Sequence, residues 1–311
     1  MRITTERPEA MSDESFDLAV ACLGYETRAV RVSDVFFRRS KRRICVGFDK
    51  NHIHNYAKNL DHFSAGGFEM HLNVSDIAFE PTVNSLLLDG LQISDLGSHS
   101  KIAVDISCFD RFRLAVLVGL LWRCVLEGRI GEVIFLYNIA KYTVPEDRFT
   151  FNTKLHPVHP SFVGSRPDPL AATVAIIGLG YEKEKAVGAA EYLEASDVFA
   201  FRPRSAVREY IDSVSNANAL LLGQLDSRHQ FVYEVEDCAS LVSDLSSLVR
   251  GFVHRSSVLL VPLGPKVFAL GCLLTAMIHE RVAVWRMSQM GAGYTPDRLP
   301  SDNYSVVRLR A

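Results

Sequence analysis

The chain carries almost no net charge. Its 34 Lys and Arg stand against 36 Asp and Glu, a formal −2, so it lacks the positive surplus that a general affinity for nucleic acid needs. Six cysteines include no CxxC pair and no Cys/His cluster at zinc spacing, which leaves no metal site to expect. Most lie in apolar runs, where a thiol acts as a small hydrophobe; reduced thiols of this kind suit a cytoplasmic protein. No apolar run reaches the ~18–20 uncharged residues of a membrane span. The stretch from Met1 to Glu14 is polar and acidic, without a signal-peptide core. No turn completes the GxGxxG fingerprint, so no dinucleotide cofactor is expected.

What is present is a folded-protein composition, 48% hydrophobic and 23% charged over 311 residues, and a repeat. Leu23-Gly24-Tyr25-Glu26 follows one apolar run, and Leu179-Gly180-Tyr181-Glu182 follows another; the glycines are 180 − 24 = 156 residues apart. Around each copy the chain alternates short apolar runs with helical periodicity. In the first half strands are predicted at 17–23, 43–48, 68–74, 101–107 and 131–137. In the second they are predicted at 173–177, 197–201, 230–235, 257–263 and 281–285, with an edge strand at 303–309. Helices fall between them, one of them opened by Glu80-Pro81. Alternation of this kind implies mainly parallel sheets covered by helices on both faces.

Two further correspondences keep the same order. The fourth strand of each half ends in a turn that opens a helix, Asp105-Ile-Ser-Cys-Phe-Asp-Arg111 against Pro262-Leu-Gly-Pro-Lys266. The fifth is followed by Tyr142-Thr-Val-Pro-Glu-Asp-Arg148 against Tyr294-Thr-Pro-Asp-Arg298. The reading is an α/β chain of two tandem Rossmann-like units related by internal duplication. The first unit is expected at 1–154 and the second at 171–311, with a Pro- and His-rich linker, 155–170, between them.

In such sheets ligands bind beyond the carboxyl ends of the strands, where the strand order reverses. The candidate ligand residues are therefore Gly24, Tyr25, Glu26 and Arg28, with Ser107 and Arg111, in one half. In the other they are Gly180, Tyr181, Glu182, Gly264, Pro265, Lys266 and Tyr294. The glycines permit tight turns. The tyrosines could stack on a base or pack; the glutamates could meet a ribose or favour a helix start. Gly264-Pro265-Lys266 suits a phosphate at a helix N-terminus, or is a plain turn with a solvated lysine. Asp105 could cap the next helix, pair with Arg111 or Arg113, or act as a catalytic carboxylate beside Glu26 or Glu182. The basic run Arg38–Arg43 reads as a solvated helix end or as an anion contact. His156 and His159, separated by a proline, are not expected to hold a metal.

Val261-Pro-Leu-Gly-Pro-Lys-Val-Phe-Ala-Leu-Gly271 resembles the fourth strand–helix junction of CRISPR-associated Rossmann-fold (CARF) domains. Two such units in one chain look like the SAVED sensors of cyclic-oligonucleotide antiphage systems. The resemblance implies a nucleotide or cyclic oligonucleotide ligand held at the strand ends between two halves. It also implies a cytoplasmic regulatory role in bacterial defence exerted through a separate effector protein, and it is compatible with a homo-oligomer. The acidic Asp105/Asp110 turn departs from that pattern in the first half. An enzyme acting on a nucleotide or N-glycoside is the first alternative, and a structural subunit of a defence complex the second.

Overall fold

A computed structural model describes residues 1–11, 13–89, 99–144, 152–168, 170–289 and 296–311. The chain forms two compact units. Met1–Lys141 joins Pro296–Ala311 in unit 1, and Tyr142–Thr295 forms unit 2.

Unit 1 opens with β1 (Arg2–Glu6) and β2 (Leu18–Leu23). There follow α1 (Arg31–Phe36), β3 (Arg42–Phe48), α2 (Tyr56–Ala65), β4 (Glu69–Val74), α3 (Asp76–Asn84), β5 (Lys101–Asp105), α4 (Arg111–Leu126) and β6 (Glu132–Ala140). Unit 2 contains β7 (Asn152–Pro157), β8 (Thr173–Gly178), α5 (Lys185–Tyr192), β9 (Asp197–Arg204), α6 (Glu209–Ala217), α7 (Ala219–Gln224), β10 (Gln230–Glu234), α8 (Cys238–Phe252), β11 (Ser257–Pro262), α9 (Lys266–Ile278) and β12 (Ala283–Gln289). The last strand, β13 (Pro300–Arg310), belongs to unit 1.

The sheet of unit 1 runs β1-β13-β6-β5-β2-β3-β4, and that of unit 2 runs β10-β9-β8-β11-β12-β7. Counted within each repeat, both have the parallel order 3-2-1-4-5 of a doubly wound fold. An antiparallel strand flanks the fifth in each case. The two Rossmann-like units that the sequence suggests are thus present, and they share one strand order.

The chain divides differently from the sequence expectation. The strand that follows the fifth strand of each repeat completes the other unit's sheet: β7 pairs with β12, and β13 pairs with β6. Residues 155–157 of the expected linker are therefore strand, and the expected edge strand of the second half sits inside the first sheet. The physical reason lies in β13. Its residues from Tyr304 to Leu309 are buried, which requires partners on both sides, and β1 and β6 supply them.

The apolar patterning explains the layers. On β2, Ala19, Ala21 and Leu23 alternate onto one face and pack with Val32 and Phe36 of α1 and Phe63 of α2. α4, buried along nearly its whole length, packs against β6. In unit 2, Ala175, Ile177 and Ala200 face α5, α6 and α7. Phe199 and Phe201 point the other way, to Phe252 of α8 and Phe268 of α9. α3 starts earlier than Glu80-Pro81 suggests, because Ser75 caps it by accepting from Ala78 N at 3.2 Å; Pro81 lies inside the helix.

Candidate ligand site at the switch points

In each unit the strand order reverses between the first and fourth strands, β2/β5 and β8/β11. The turns beyond these strand ends touch. A Cβ on Gly24 would lie 2.7 Å from Cys108 Cβ, and a Cβ on Gly264 would drive into the carbonyl oxygen of Leu179. Glycine is required at both positions by close approach. Gly180 is tight as well, with Leu263 O 3.0 Å from where its Cβ would be.

A second device is shared. Asn59 of α2 donates from Nδ2 to the carbonyls of Gly24 (2.8 Å) and Glu26 (2.9 Å). Asn218, between α6 and α7, donates to Gly180 O at 2.7 Å and to Val214 O at 2.8 Å. Both amides are buried. They pin the Leu-Gly-Tyr-Glu turn from 35 and 38 residues away. Sequence reading missed them; an Asn at matching places after the second strand of each half was the available signal.

From there the units diverge. In unit 1 the carboxylate of Glu26 is clamped: Arg28 Nε lies 2.5 Å from its Oε2. The same guanidinium donates to Asn138 O (2.8 Å) and Ser107 O (3.2 Å) and lies over the Tyr137 ring. Burial disfavours the charged Arg28, but Glu26, Tyr137 and Cys108 together outweigh it and hold the group protonated well above the usual arginine range. Cys108 Sγ is 3.9 Å from the same Glu26 oxygen. The returning chain adds Asp297, which accepts from Thr27 N (2.7 Å) and Thr27 Oγ1 (2.6 Å), and Arg298, whose carbonyl accepts from Arg28 N. Burial pulls Arg298 below its ordinary range, with Glu26 opposing and Arg28 reinforcing the shift. Tyr25 lies beside His54, ring centroids 5.9 Å apart.

The fourth-strand turn of unit 1 is also filled by its own groups. Asp105, 1% exposed, accepts from Ser107 N at 2.8 Å, and Ser107 Oγ accepts from Asn138 N at 2.9 Å. The cap of α4 is Asp110, which accepts from Arg113 N at 2.9 Å and pairs with the Arg113 guanidinium. Arg113 also meets Asp76 at 2.6 Å and stacks over Phe48. Arg111 is the first residue of α4, half-buried.

In unit 2 the Glu182 side chain is 44% exposed and its nearest cation is Lys185, at 3.7 Å; its carboxylate lies over Gly180. Tyr181 stacks on Tyr210 with ring centroids 5.7 Å apart, and Tyr142 meets Tyr210 edge-on and bonds Ser213 through its hydroxyl. α9 opens at Lys266 after Pro265, which contributes no side-chain cap; Gly264, Pro265 and Lys266 are all half-buried. Tyr294 lies outside the described residues, as do Glu146 and Arg148.

No protein-family model matches the sequence, and no curated protein matches it. The remaining sequence candidates resolve into local structure. Arg39, Lys41 and Arg42 of the basic run pair with Asp13, Asp17 and Glu69. His156 Nδ1 meets Pro157 O, and His159 accepts from Ser161 N. Among the described residues no group of three or more His, Cys, Asp or Glu side chains could hold a metal ion. No helix among them is long and apolar enough to cross a membrane.

Proposed function

We propose that the chain is a cytoplasmic nucleotide-binding regulatory protein whose principal ligand site is the switch-point crevice of unit 2, and that it acts through a separate effector. One observation carries the reading. At the fourth-strand turn unit 1 caps its helix with a carboxylate, Asp110, whereas unit 2 offers Gly264, an uncapped α9 start and Lys266. A helix start whose cap residue supplies no acceptor, with a cation in its first turn, favours a phosphate. Tyr181, beside the same crevice, supplies a ring for a base. The resemblance to CARF and SAVED proteins supports a cyclic-oligonucleotide ligand and a place in bacterial antiphage defence.

The first test is to extract the purified protein and identify any co-purifying small molecule by mass spectrometry. A nucleotide so identified should bind at least tenfold more weakly to Lys266→Ala, with an unchanged circular dichroism spectrum. Unchanged affinity would refute the site.

An enzyme acting on a nucleotide or N-glycoside is favoured by one feature alone, the accessible Glu182 carboxylate, because Glu26 is clamped by Arg28. Turnover in a nucleotide panel that disappears in Glu182→Gln would establish it.

A further inference from the structure

Arg202, near the carboxyl end of β9, stands apart from the other cations of its strand. Strand alternation puts it on the face of Val198 and Ala200, which is covered by α5, α6 and α7 and on which Tyr181 packs. Its backbone follows Phe201, whose carbonyl accepts from Leu179 N at 2.9 Å; Arg202 is therefore level with the residue before Gly180. Arg204, two residues on and on the same face, is answered across the strand by Glu234. The cross-strand partner of Arg202 is Val232, which has no charge to offer and is 47% exposed. Arg202 Nε is buried with no hydrogen-bond partner, and among the described residues no carboxylate pairs with it. A half-covered guanidinium in that condition calls for a group that the protein does not supply.

Its place says which group. In doubly wound sheets the end of the second strand, about 20 residues beyond the first glycine turn, meets the ribose of a bound nucleotide, and an arginine there takes a phosphate carried on that ribose. Arg202 is 202 − 180 = 22 residues beyond Gly180. The corresponding residue of unit 1, opposite Leu23 on the neighbouring strand, is Gly47, packed between Leu23 and Leu72. The feature belongs to unit 2 alone.

We infer that Arg202 binds a second phosphate of the ligand, one borne on the 2′ or 3′ oxygen of the ribose whose 5′ phosphate sits at Lys266. This rests on the site proposed above. The ligand class is then a nucleotide with phosphate on both sides of one ribose, as in every internal residue of a linear or cyclic oligonucleotide. A mononucleotide has phosphate on one side only.

The probes are AMP and adenosine 3′,5′-bisphosphate, titrated calorimetrically into the full chain and into Lys266→Ala, Arg202→Gln and Arg202→Lys. Wild type should bind the bisphosphate about ten- to hundredfold more tightly than AMP, the range for hydrogen bonds to a charged group. Arg202→Gln should lose that preference while keeping its AMP affinity, and Arg202→Lys should regain part of it. Lys266→Ala should weaken both probes. An undiminished preference in Arg202→Gln, or equal binding of the two probes by wild type, overturns the role of Arg202 and leaves the Lys266 site standing. Binding of neither probe by wild type removes the site and the role of Arg202 together.

Discussion

In unit 1 the glutamate of Leu-Gly-Tyr-Glu is bonded to a guanidinium that is itself 5% exposed and bonded to two carbonyls. In unit 2 the same glutamate is 44% exposed, and its nearest cation stands at 3.7 Å. The fourth-strand turns repeat the contrast. Asp110 caps α4 and is held by Arg113, whereas α9 opens on Lys266 with no side-chain cap. Strand order, glycine positions and the buried asparagines are common to both units, so the difference arises after the fold is set. In unit 1 the charged side chains of both turns answer one another. Unit 2 has Lys266 at the start of α9 and Arg202 near the end of β9, the two cations on which the proposed function rests.

The largest expected effect tests that difference directly. Glu26→Gln strips the charge partner from a buried guanidinium and should cost about 3–5 kcal/mol of stability in urea unfolding. Glu182→Gln removes an exposed carboxylate 3.7 Å from its cation and should change stability by no more than about 0.5 kcal/mol. Equal effects would mean that the clamp is not what distinguishes the units.

The comparison extends to the far end of the sheets. In unit 1, Arg308 joins Glu14 and Glu132 at 2.8 Å each, with Lys101 and Arg310 alongside. Burial pushes the Glu14 and Glu132 carboxyls up, but these cations outweigh it and hold both below their ordinary 4.5. A carboxylate depressed in the folded state contributes stability fully present above its unfolded value, and that stability is lost as pH falls through the folded value. The ion pairs described in unit 2, such as Arg204–Glu234 and Arg228–Asp226, are exposed and separate. Below pH 4.5, unit 1 should therefore weaken first. Hydrogen exchange resolved by peptide should show β6 and β13 opening before β8 and β11. Arg308→Met should remove most of that pH dependence; opening of unit 2 first would contradict it.

How much of this was legible in the sequence follows from where each signal resides. Most of the parallel strands are continuous apolar runs bounded by turns, as a strand buried on both faces must be; β4 and β10, at the sheet edges, are more polar and mostly unburied. The glycine turns were legible because close approach admits no substitute at Gly24 or Gly264. The exchange of β7 and β13 was not. Each follows its own half in the chain, and sequence-adjacent elements usually pair; nothing local says that β13 should fill a gap between β1 and β6. Arg28 was legible as a candidate but not as a clamp, since its partners include the carbonyls of Ser107, in the turn after β5, and Asn138 of β6. Arg202 falls just beyond the strand predicted at 197–201 and was not among the candidates. Its significance comes from Val232 across the strand, where Arg204 finds Glu234.

The asparagines offer a test of what the units share. Asn59→Ala and Asn218→Ala each leave a buried carbonyl of the glycine turn without its donor, and should cost about 1–2 kcal/mol apiece. Similar losses in the two thermal melts would support a common device inherited by both repeats. A loss confined to one would make the other amide incidental.

The smallest effects bear on the helix starts. Asp110→Ala removes a cap hydrogen bond and should cost about 1 kcal/mol. Lys266→Ala touches a first turn that has no side-chain cap to lose, and a cation there works slightly against the helix dipole. Its stability change should stay within about 0.5 kcal/mol and could be a gain. The pairing of results matters more than either value. A lysine whose removal leaves the helix unweakened would be available to the ligand proposed above. If Lys266→Ala instead destabilised the chain as much as Asp110→Ala does, the lysine would be a structural element of the turn. The contrast between the two units would then rest on Glu182 and Arg202 alone.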